Sequence, residues 1–128
     1  MIRKARRPKA ASRGVSAKAV GKIALALPGI APGMYYGFPA FMAGKKCLTR
    51  VRDEDGICVV HIGSFTDRDL LIAADPRAFF TTAHYQNYPI VLVRLEHVVA
   101  DQLRGILTDA ATRLQEAPAR RRVLATGS

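Results

Sequence analysis

The clearest periodicity in the chain lies toward its C-terminal end. Leu103, Ile106, Leu107, Ala110 and Leu114 recur at i, i+3, i+4, i+7 and i+11, the spacing of one buried helical stripe. Pro118 is expected to close this helix. A shorter stripe, Val20, Ile23, Ala24 and Leu27, follows Ser16, a good N-cap, and stops at Pro28-Gly29. Ile30 to Pro39 is rich in Pro and Gly, carries the pair Tyr35-Tyr36, and reads as loop.

Between the helical stripes the period shortens to two. Ala40 to Ala43 reads as a strand turned by Gly44-Lys45. Lys46 to Arg52 and Ile57 to Ile62 read as a hairpin around Asp53-Glu54-Asp55-Gly56. A two- or four-residue loop puts Cys47, Thr49 and Val51 on one face with Cys58, Val60 and Ile62, the expected core side. Lys46, Leu48, Arg50 and Arg52 then share the opposite face with Ile57, Val59 and His61, and a three-residue loop would change this partition. A second helix is expected near Thr66, where Thr66-Asp67-Arg68-Asp69 resembles a capping box. Its Leu70, Leu71 and Ala74 are expected to face inward, and Asp75-Pro76 ends it ahead of a short turn through Phe79-Phe80. Thr81 to Tyr88 is a polar and aromatic loop. Ile90 to Leu95 is a strand with Val91, Val93 and Leu95 on one face and Ile90, Leu92 and Arg94 on the other. The order helix, strands, helix, strand, helix predicts an α+β fold of two layers, a mainly antiparallel sheet with helices packed on one face.

Charge changes this picture at the ends of the chain. Residues 1–22 hold eight Lys or Arg and no acid, and residues 113–128 hold four against Glu116. The middle, Ile23 to Thr112, nets −1 although the whole chain carries +10. Three segments follow: residues 1–14 as a disordered basic arm, 15–117 as a single domain, and 118–128 as a basic C-terminal tail. The Arg- and Ala-rich start also has the composition of a transit peptide. No run reaches the roughly 18 apolar residues of a membrane span. Cys47 and Cys58 are too few for a disulfide framework and fall out of register with each other, so two buried free thiols and a cytoplasmic location are expected.

Enzyme signatures are not visible: no Walker lysine motif, no H-E-x-x-H and no C-x-x-C. Gly44-Lys45-Lys46 sits in a strand-to-strand turn without the helix N-terminus that a phosphate loop needs. His61, His84 and His97 are not at metal-ligand spacing. The expectation is a non-enzyme with no metal and no cofactor. Two surfaces remain. Lys46, Arg50, Arg52, His61 and Arg94 would share the sheet face opposite the helices, where cations interleaved with Leu48, Val59, Ile90 and Leu92 could hold phosphates, although stacking aromatics are missing. The loop residues His84, Tyr85, Asn87 and Tyr88 could line a small polar site.

From Gly37 onward the chain resembles a known family. Gly37-Phe38-Pro39-Ala40-Phe41, Gly44-Lys45, Ala74-Asp75-Pro76, Phe79-Phe80, His84-Tyr85, Tyr88-Pro89, Val93-Arg94-Leu95 and the closing Leu103 helix look like the MmcQ/YjbR-like proteins, over about residues 16–116. The resemblance implies a small bacterial domain of frataxin-like α+β fold with a double-wing mode of DNA binding, and no catalytic residues. The chain departs from the pattern at Ile90-Val91, where relatives often place a Trp.

The leading expectation is therefore a nucleic-acid-binding protein, with DNA as partner. Arg3, Lys4, Arg6, Arg7, Arg120, Arg121 and Arg122 would supply tail contacts, and Lys46, Arg50, Arg52 and Arg94 the contacts of the folded domain. The alternative is a module binding a small ligand or protein at His84, Tyr85, Asn87 and Tyr88.

Overall fold

The computed structural model describes residues 14–52 and 55–127, with side chains described as far as Glu116. Helix α1 spans Ala17–Leu25, and the Ser16 side chain caps it by accepting from the Ala19 amide. The strands are β1 (Ile30–Tyr35), β2 (Phe38–Ala43), β3 (Lys46–Arg52) and β4 (Ile57–Val60). Helix α2 (Phe65–Ala74), β5 (Phe79–Phe80), β6 (Val91–Arg94), a 3-10 turn at Leu95–His97 and helix α3 (Ala100–Gly127) complete the chain. The six strands form one antiparallel sheet in the order β1-β2-β3-β4-β6-β5. No helix among the described residues is long and apolar enough to cross a membrane.

The main core lies between the sheet and the helices. Val20, Ile23 and Ala24 of α1 and Leu103, Leu107, Ala110 and Ala111 of α3 meet Leu48, Cys58, Val60, Val91 and Val93. Leu103 and Leu107 are fully buried, so truncating either to Ala should remove about 2–5 kcal/mol. A smaller cluster, Val59, Ile90 and Leu92 with Ile57, Phe80 and Tyr85, covers the other face of the sheet. This is the two-layer α+β arrangement that the hydrophobic pattern implies, and the alternation along Ile90 to Leu95 falls on the two faces as expected.

Several local expectations need correction. Ile30 to Pro39 is a hairpin rather than loop: Tyr35 pairs with Phe38, leaving a two-residue turn in which Tyr36 and Gly37 both have positive φ, 50° and 83°. That is the twist of a type I′ turn. Pro32 is tolerated because β1 is an edge strand.

The second correction concerns β3. Phe41 pairs with Thr49 but Met42 pairs with Cys47, so Leu48 is an extra residue, a β-bulge. Beyond it Thr49 and Val51 face the helices and Arg50 and Arg52 face away, as the four-residue loop implied by the Arg52–Ile57 pair requires. At and before it the faces invert. Leu48 enters the main core and Lys46, opposite the core-packed Ala43, takes the helix side, leaving Cys47 on the other face.

Helix α2 begins before Thr66, with Ser64 accepting from the Asp67 amide. Its inward groups are Leu71 and Ile72, while Leu70 is 63% exposed and Arg68 only 8%. Phe79-Phe80 is an edge strand rather than a turn. Helix α3 runs through Pro118 to Gly127. A mid-helix proline costs about 3 kcal/mol, here set against flanking Ala, Arg and Leu, all good helix formers. The basic arm through Arg13, including Arg3, Lys4, Arg6 and Arg7, lies outside the described residues, as do Asp53, Glu54 and the side chains of Arg120, Arg121 and Arg122.

Candidate functional site

The sheet face turned away from the helices is not the open, aromatic-free platform that the loop reading of Ile30 to Pro39 implied. The β1–β2 turn rises at one side of it and the Thr81–Pro89 loop folds over the other. Between them is a hollow of about 420 Å³ lined by Tyr35, Tyr36, Phe38, Arg50, Val59, His61, His84, Tyr85, Tyr88 and Ile90. The chain has four tyrosines, and all four are in this wall. Val59 and Ile90 come from the smaller apolar cluster and form an apolar floor.

The rings are set edge to face. Tyr35 meets Tyr36 at 4.6 Å between centroids and His61 at 5.3 Å, the latter pair perpendicular. On the other side His84 and Tyr85 meet at 4.7 Å and 83°. Such pairs follow the ring quadrupoles and hold the walls in fixed orientations. The guanidinium of Arg50 lies over the Phe38 ring, 4.6 Å from its centroid, a cation–π contact.

Arg68 fixes the loop wall from behind. Its Nη1 donates to the carbonyl oxygens of Gln86 at 2.8 Å and Tyr88 at 3.0 Å, and its Nε to Asp69 at 2.9 Å. Two backbone turns, Tyr85 N–H to Thr82 O and Tyr88 N–H to Tyr85 O, shape the loop itself.

Burial and charge set the protonation states. Burial, then the Arg50 charge, pushes His61 down to about 4, so its imidazole is neutral at pH 7. Burial pushes the Cys58 thiol up to about 12 and the Cys47 thiol up to about 11, and Tyr35 is raised chiefly by burial. Both cysteines are free. Cys58 pairs across the ladder with Val51, and its sulfur lies 3.0 Å from the Thr49 hydroxyl. Neither thiol lines the hollow, and neither has the thiolate character of a nucleophile. Among the described residues no group of three or more His, Cys, Asp or Glu could hold a metal ion.

Of the residues singled out from the sequence, Arg50, His84, Tyr85 and Tyr88 meet in the hollow, together with His61. Asn87 is exposed and outside its wall. Arg52 is ion-paired with Asp55. Arg94 stacks on Phe80 at 4.0 Å and donates to the Arg77 carbonyl at 3.0 Å, and Lys46 sits on the helix side. The residues missed, Tyr35, Tyr36 and Phe38, belong to the hairpin read as loop, whose one available signal was a Tyr-Gly pair between apolar segments.

A 75-residue stretch of the chain is 34% identical to Uncharacterized protein Rv2570 of Mycobacterium tuberculosis and to Uncharacterized protein Mb2600 of Mycobacterium bovis. The match covers 56% of this chain and 58% of each relative, so it spans less than two thirds of their length. No family model matches the chain. No solved structure matches it.

Proposed function

We propose that this protein is a non-enzymatic binding module and that the aromatic hollow takes a small ligand containing a flat ring. The observation that carries the reading is the convergence of every tyrosine in the chain on one concavity. Its volume falls in the range of small-molecule sites, roughly 300–1,000 Å³. Stacking against such rings adds about 0.5–1.5 kcal/mol per pair beyond the area buried. Melting the full chain with planar aromatic compounds and with aliphatic compounds of equal size tests it. Only the aromatic set should raise Tm, and Tyr35→Ala with Tyr85→Ala should abolish the rise. Equal effects of the two sets would remove the reading.

The segregation of charge supports a second reading, DNA binding by the basic ends, with Arg50 as the contact of the folded domain. Twelve Lys or Arg lie in residues 1–22 and 113–128 against one acid. Each phosphate neutralised should add about −0.9 to the log–log salt slope. Replacing Arg3, Lys4, Arg6 and Arg7 by Gln in the full chain should flatten that slope, and an unchanged slope would remove the arm from this reading. The likeness to MmcQ/YjbR-like proteins, with a frataxin-like, double-wing fold, belongs to the same proposal and is compatible with the strand order and one-sided helices. A cytoplasmic location fits the two free thiols.

A further inference from the structure

The hollow has walls of one kind and a charge of one sign. Among the described residues ten line it, none of them a carboxylate, and Arg50 is the only Lys or Arg. The surroundings of that arginine differ from those of its neighbours in the fold. Arg52, Arg68, Arg94, Arg104 and Arg113 each hold a carboxylate or a backbone carbonyl. Among the described residues Arg50, half-buried in the wall, holds only the face of the Phe38 ring. A guanidinium so placed keeps its N–H donors for a partner that is planar and negative.

The floor and sides ask for a ring. Val59 and Ile90 are apolar, and Tyr35, Tyr85 and His61 present edges and faces at fixed angles. An aromatic cage without a cation would suit a quaternary ammonium ligand. Here the same cage contains a positive charge with no acid among the described lining residues to offset it, which repels such a ligand. Burial is the main cause of the depressed titration of His61, and the Arg50 charge adds to it from within the same wall.

We infer that the hollow selects a planar aromatic anion, its ring against the tyrosine walls and its carboxylate or phosphate group against Arg50. The inference rests on the reading of the hollow as a ligand site and adds the sign of the ligand's charge. Carboxylate and phosphate share the chemistry that Arg50 recognises, and only a direct comparison separates them.

Calorimetric titration of the full chain with naphthoate, naphthyl phosphate, naphthamide and naphthylmethylamine tests it, because the ring is held constant while the charge varies. The tighter anion is expected to bind about tenfold or more better than the neutral amide, with the amine weakest. Arg50→Gln should erase the preference for the anion over the amide, whereas Arg50→Lys should keep part of it. Circular dichroism of each variant verifies the fold. Whichever anion binds tighter assigns the group as carboxylate or phosphomonoester. Equal affinity for anion and amide, with both lost in Tyr35→Ala, overturns the charge selection while the ligand site stands. No binding of any probe to the folded protein overturns both.

Discussion

Arg68 and Tyr88 are joined by a hydrogen bond of 3.0 Å from the guanidinium Nη1 to the backbone carbonyl, across twenty residues of sequence. The same nitrogen serves Gln86 at 2.8 Å, so one buried cation on α2 holds the loop that carries His84, Tyr85 and Tyr88. Burying a charge is costly unless its donors are occupied, and here carbonyls and Asp69 occupy them. Arg68→Met keeps much of the stem but takes the Arg68 donor from the Gln86 carbonyl, while the Tyr88 carbonyl keeps the Ile90 amide at 2.7 Å. A loss of about 2–4 kcal/mol is expected, read from the urea midpoint. Ligand affinity should fall further than in a comparably destabilised core variant such as Leu107→Ala, because the loop wall is released.

Tyr36 sits at a φ of 50° and is 86% exposed. A left-handed aromatic residue is a local conflict that Asn would relieve, since Asn-Gly is the preferred type I′ pair. Tyr36→Asn should therefore raise stability by about 0.5–1 kcal/mol and at the same time weaken ligand binding. Thermal melts and titrations of the one variant would show the two effects in opposite directions, as expected where a local rule is broken at a functional site.

Thr49 is fully buried, and its hydroxyl donates to the Val59 carbonyl at 2.8 Å. Thr49→Val keeps the shape and removes that bond, so a loss of about 1 kcal/mol is expected by denaturant unfolding. A neutral or stabilising result would mean that the carbonyl finds water or another donor.

The His61 imidazole is held near 4 in the folded chain, below the roughly 6.5 of an unfolded histidine. The unfolded chain therefore binds more protons between those values. The stability linked to His61 is complete above about pH 6.5 and drains away as pH falls toward 4, with a slope of at most about 1.4 kcal/mol per pH unit. The difference in unfolding free energy between the protein and His61→Gln should carry that slope. A pH-independent difference would place the imidazole in water.

How far all this could be read from the sequence differs from residue to residue. The α3 stripe was legible because Leu103, Leu107 and Ala110 are wholly buried in the main core, so packing reinforces the helical period. The alternation of Ile90 to Leu95 was legible because both faces of β6 are buried, one against helices and one beneath the loop. The β1–β2 hairpin was hidden because Pro32, Gly33 and Pro39 suppress its strand signal; Pro32 sits on the edge strand, and Pro39 precedes Phe41, where the pairing with β3 begins. The bulge at Leu48 has no sequence signature and inverts Lys46 and Cys47. That inversion, with the hidden hairpin, turned an expected basic platform into an aromatic hollow. Arg68 was hidden for another reason, since its partners are backbone carbonyls eighteen and twenty residues away.

Amide chemical-shift mapping of the full chain during titration with naphthoate is the decisive observation. Saturable shifts are expected in Tyr35 to Phe38, Arg50, His61 and His84 to Ile90, with little change along α3. Shifts confined to the basic ends, or none at millimolar probe, would contradict a ligand site on the face of the sheet opposite the helices.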